Sequence, residues 1–112
     1  MPNITNLFSN IPPIVPEEIF TELLHTREMR IERIVSAGQT TPQGQWYDQN
    51  EDEWVILLSG AAKLEFADGS VHDLTAGDYV LIPSHCRHRV AWTIPNEVSI
   101  WLAVYYKENP ER

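Results

Sequence analysis

An all-β domain, a barrel or sandwich closed on itself behind one short helix, is the architecture these residues predict. Two observations carry that expectation. From Arg30 onward, short runs rich in Val, Ile, Leu, Trp and Tyr recur, and such runs fit a pleated, half-buried surface. Between them stand turn-forming pairs, Asp68-Gly69, Gly77-Asp78 and Pro95-Asn96, whose spacing suits many short strands joined by tight connections.

The first sixteen residues hold four of the eight prolines, Pro2, Pro12, Pro13 and Pro16. That composition opposes helix and central strand and predicts an extended arm, ordered only where Leu7, Phe8, Ile11, Ile14 and Val15 dock. Glu17 to His25 reads as the helix: Pro16 suits a first turn, Glu17 and Glu18 suit the positive end of the dipole, and Ile19, Phe20, Leu23 and Leu24 make an apolar face. Arg30 to Ser36 alternates as a strand and stops at Gly38. Further strands are expected at Gln45–Asp48, Glu53–Ser59, Ala61–Phe66, Val71–Leu74, Tyr79–Ile82, His88–Thr93 and Val98–Tyr106. Ala67 to Ser70 forms the tightest hairpin, because Asp-Gly tolerates positive φ. The organisation expected is an arm and helix over 1–29, a barrel over 30–106 and a polar tail over 107–112.

Composition narrows the function classes. With 112 residues and 43% hydrophobic content the chain can bury one modest core. Sixteen acidic residues against eight basic ones, a net charge of −8, argue against a nucleic-acid partner, which needs clustered Lys and Arg. No apolar run approaches the ~18 to 20 residues of a membrane helix, and Met1 to Asn10 lacks the pattern of a secretory signal. A cytoplasmic location is expected. The lone Cys86 forms no internal disulfide and no zinc framework. Trp54, Ile56 and Leu58 share the outward face of their strand, so a homodimer is expected to cover what the arm and helix leave bare.

Two spacings single out a family. Gly44, Tyr47, Gln49, Glu53 and Gly60 fall on the places of one motif, and Gly77, Pro83, His85 and His88 on those of a second. Together they resemble the paired motifs of the cupins. In those motifs Tyr47 and Gln49 replace two histidines, while Glu53 and the terminal His88 are retained; His85 stands where glycine is usual. The resemblance covers roughly Arg30 to Tyr106 and implies a β-barrel or jelly roll of antiparallel strands. It leaves the reaction open, since cupins host isomerases, dioxygenases, epimerases, lyases and sugar-sensing domains.

Strand parity adds a physical argument. Glu53, Val55 and Leu57 share one face of their strand, and His88, Val90 and Trp92 one face of theirs, so Glu53 and His88 converge inside a closed barrel. One reading is a divalent metal centre for Zn, Fe, Mn or Ni, with Glu53 and His88 as ligands and Gln49, His85 or Tyr47 completing the shell. The resemblance implies a precedent for glutamine, which phosphomannose isomerases use in their metal set, and one for tyrosine in some cupin lyases. The other reading is a metal-free pocket in which Tyr47, Gln49, Glu53 and His88, with Trp92 nearby, hold a small polar ligand directly by hydrogen bonds. His25, at the C-terminus of the expected helix, reads as structural, His72 as solvent-facing and Cys86 as passive.

Overall fold

The computed structural model describes residues 1–107. Eight strands form two antiparallel sheets: β1 (Ile19–His25), β2 (Met29–Ser36), β3 (Asp52–Ser59), β4 (Ala61–Phe66), β5 (Val71–Thr75), β6 (Tyr79–Ile82), β7 (His88–Thr93) and β8 (Ser99–Tyr106). The larger sheet runs β1-β2-β8-β3-β6 and the smaller β5-β4-β7. The all-β expectation holds. The tail beyond Lys107 lies outside the described residues.

Alternation along the strands builds the core. Val55 and Leu57 of β3, Trp101, Ala103 and Tyr105 of β8, and Ala62 and Leu64 of β4 bury one face each between the sheets. The opposite face of the larger sheet carries a second cluster, Val35 and Ile100, closed by Val15 of the N-terminal arm with Ile11 beside it. Arg33 fixes the arm there: its guanidinium donates to the carbonyls of Leu7 (3.1 Å) and Ser9 (2.7 Å). The arm therefore docks through Ile11 and Val15, whereas Phe8 and Ile14 point to solvent. Further along that face Trp54 packs on Tyr79, and Tyr79 and Leu81 stay largely exposed.

Two expectations are corrected. Among the described residues there is no helix, and Glu17–His25 instead supplies edge strand β1, paired along its length with β2. A two-turn helix has little stability of its own, whereas the strand gains a full ladder with β2. The apolar positions 19, 20, 23 and 24 looked helical because the β1 register shifts between Glu22 and Leu24; one extra residue in a strand reproduces that spacing. Gln45–Asp48 is not a strand either. Tyr47 makes a single bridge to His88, and Gln45 closes a turn on the carbonyl of Pro42.

Candidate functional site

At one mouth of the barrel the sheets form an open-ended pocket with a cavity volume of about 60 Å³. Its floor is apolar: Ile34, Val55, Leu64, Ile82 and Val90 line it. Against that floor stands a buried polar pair. Glu53 arrives on β3, where it pairs with Ile82 and Tyr105, and His88 opens β7. Their side chains are only 8% and 6% exposed, and His88 Nε2 lies 3.5 Å from Glu53 Oε1.

Neighbouring backbone fixes both partners. The His88 ring places Nδ1 2.9 Å from the Cys86 carbonyl. A carbonyl only accepts, so Nδ1 carries the proton and Nε2 is presented to Glu53. Tyr47 and His88 exchange two backbone hydrogen bonds, 2.8 and 3.2 Å, and their rings lie 5.6 Å apart. Gln49 donates its side-chain amide to Glu53 Oε1 at 3.0 Å, while its backbone carbonyl accepts from the His85 backbone N–H at 2.7 Å. Asp52 ties the same turn to Ser84 through the Ser84 amide, 2.8 Å away.

The pair sets the charge state of the site. Burial pulls the His88 pKa down, but the hydrogen bond to Glu53, the Cys86 carbonyl and the Glu53 charge together outweigh it and leave the pKa raised above 6.5. Tyr47 is pushed up by burial and by the charge of Glu18, and Tyr105 by burial and the charge of Glu53. Both phenols therefore stay neutral donors. A group whose folded pKa is raised contributes stability that is complete below its ordinary pKa and lost as pH climbs through the folded value. Wild-type protein should thus lose stability from about pH 6.5 upward relative to His88→Gln, measured as the gap between their urea midpoints. Parallel pH profiles for the two proteins would refute this charge assignment.

The structure brings Tyr47, Gln49, Glu53 and His88 together and separates the other two candidates from them. His85 sits in the loop with φ +60°, which turns its ring outward to Asp48 at 2.7 Å; it is not available as a metal donor. That left-handed backbone also accounts for the glycine usual at this place. Trp92 points out of the barrel beside Lys63. Ala91 is an extra residue in the β4–β7 ladder, where Lys63 faces Trp92 and Leu64 faces Val90. Parity therefore reverses after Val90, so Thr93 is buried in place of Trp92.

Glu18, Phe20, Trp101 and Tyr105 complete the pocket wall and went unassigned from sequence. The alternation of Trp101 with Leu102 on β8 was the available signal for one side. Once 19–25 is a strand, the alternation of Glu18 and Phe20 with Ile19 is the signal for the other.

A cupin-domain sequence profile matches residues 31–105. The chain belongs to the cupins. A crystal structure of a candidate mannose-6-phosphate isomerase from Ralstonia eutropha JMP134 is 45% identical and superposes with a TM-score of 0.91, covering 96% of this chain and all of that one. A cupin superfamily protein from Desulfitobacterium hafniense DCB-2 shares 18% identity at TM-score 0.73, over 88% and 84% of the two chains. An RmlC-like cupin with a double-stranded β-helix fold from Methanocaldococcus jannaschii shares 18% at 0.69, over 87% and 86%. The two distant cupins speak for fold alone. No curated protein matches the chain.

The metal expected of many cupins needs three or four converging donors. Among the described residues no group of three His, Cys, Asp or Glu side chains could hold an ion. Glu53 and His88 are the two strong donors here, and Gln49 turns its amide N–H, not a free oxygen, toward Glu53. This donor set does not fit a metal centre; it fits a hydrogen-bonded cluster.

Proposed function

We propose that this cupin binds one small polar molecule directly, without a metal. Glu53, His88, Gln49 and Tyr47 supply hydrogen bonds, and the apolar floor supplies contact area. The observation that supports this most is the buried Glu53–His88 pair on the wall of an otherwise apolar pocket. Such a pair is costly in a core that serves only packing, and ligand pockets combine apolar walls with a few convergent polar groups. Binding follows from the geometry more directly than turnover does. The 45% identical Ralstonia protein, described as a candidate mannose-6-phosphate isomerase, points toward small metabolites as the ligand class.

The test is elemental mass spectrometry of untagged protein purified without chelator, repeated after exposure to Zn, Fe, Mn and Ni and dialysis. Protein that remains metal-free supports the reading. Near-stoichiometric metal that vanishes in His88→Ala overturns it and restores the metal centre.

A further inference from the structure

The pocket has a charge as well as a shape. Its lining holds two carboxylates, Glu18 and Glu53, and no lysine or arginine. Glu53 is balanced by His88 across 3.5 Å, so that pair is neutral as a unit when the imidazole is protonated. Glu18 is left over. It is half-buried at the rim, where burial pushes its pKa up and no neighbouring cation pulls it back. Two arginines are committed to other carboxylates: Arg30, which lies 4.1 Å over the Tyr105 ring, to Glu51 and Glu32, and Arg89 to Glu65. A desolvated carboxylate without a counter-charge favours a cation that can reach it.

Around Glu18 stand ring faces. Phe20, Tyr47, Trp101 and Tyr105 share the pocket wall with it, and Phe20 remains 53% exposed although it sits opposite core residue Ile34 in the β1–β2 ladder. An apolar ring exposed on the inward side of a strand is a surface that a ligand can cover. Aromatic faces attract ammonium groups and repel anions. The net charge of −8 adds a long-range field of the same sign.

We propose that the ligand is a small organic amine, its ammonium group held by Glu18 against the Tyr47 ring and its apolar body lying over Phe20 and Ile34. This deepens the direct-binding reading and rests on it. It also disfavours phosphate esters, because a dianion entering this mouth meets the Glu18 carboxylate, while His88 is already paired with Glu53 and Arg30 with Glu51.

Three isosteric probes of opposite charge test the idea: butylamine, 1-butanol and butyrate, with mannose 6-phosphate as a fourth. Each is titrated at neutral pH into isotopically labelled protein while the Tyr47 and His88 amides and the Trp101 indole N–H are followed by NMR. The indole N–H is a useful reporter because it is fixed on Ser36 at 3.3 Å. Butylamine should saturate about tenfold more tightly than butanol, the size of one partly desolvated ion pair with a ring contact. Butyrate and mannose 6-phosphate should leave the reporters unmoved. Glu18→Gln, checked for an unchanged overall spectrum, should erase the amine's advantage and leave butanol as it was. Butyrate or mannose 6-phosphate binding as tightly as butylamine overturns the charge assignment while sparing the pocket, as does an amine advantage that survives Glu18→Gln. If no probe moves any reporter, the direct-binding reading falls with it.

Discussion

Gly60→Ala should destabilise the chain by about 3 to 5 kcal/mol, from left-handed strain plus overpacking. Gly60 joins β3 of one sheet to β4 of the other with φ +91°, and a Cβ there would stand 2.7 Å from the Ser99 Cα and closer still to its Oγ. Ser99 is fully buried, so it has nowhere to retreat. In a domain of this size the change lowers the melting temperature by upwards of about 10 °C. Ser99→Gly in the same chain should restore part of the loss, because it removes the Oγ and Cβ contacts and leaves the backbone strain. Gly69→Ala, where an added Cβ meets nothing within 4 Å, should cost only about 1 to 2 kcal/mol. Thermal melts of the four proteins check this. Equal losses at Gly60 and Gly69 would show that the corner is looser than described.

The second large effect concerns the buried pair. His88→Ala should cost about 3 to 5 kcal/mol, because Glu53 is left buried with Gln49 as its remaining side-chain partner. Converting both residues together, Glu53→Met with His88→Leu, should bring stability back to within about 1 kcal/mol of wild type or above it. Ligand binding should be absent from the single and the double variant alike. Urea denaturation gives the stabilities, and the pattern separates a pair kept for binding from one kept for folding. A double variant as unstable as the sum of its single variants would contradict it.

Strands β2 to β8 were legible because their apolar residues fall in short runs separated by marked turns, as at Asp68-Gly69. Glu53 and His88 were legible because each lies where parity had not yet been disturbed. Two of the failures share a cause. In β1 and in β7 one additional residue shifts the pairing, which made a strand look helical around Leu23 and sent Trp92 to the wrong side beyond Ala91. A bulge has no residue signature of its own; it is settled by the partner strand, which a single sequence does not identify. The direction of His85 was not readable from the sequence, since strand parity does not extend into a loop with left-handed backbone. Glu18 and Phe20 were missed because the helix assigned to them hid their alternation.

β1 contributes Phe20 to the pocket rim and follows directly on Glu18, yet it is bonded to β2 alone, at the margin of its sheet. The half of the site that greets a ligand is thus hung from an edge strand of the larger sheet, while Glu53 rests on β3, which is paired on both sides. Loosening the β1–β2 ladder at its far end, at His25 for instance, would widen the entrance without unfolding the protein. Such a lesion would pass for a defect in recognition although every recognising side chain was intact.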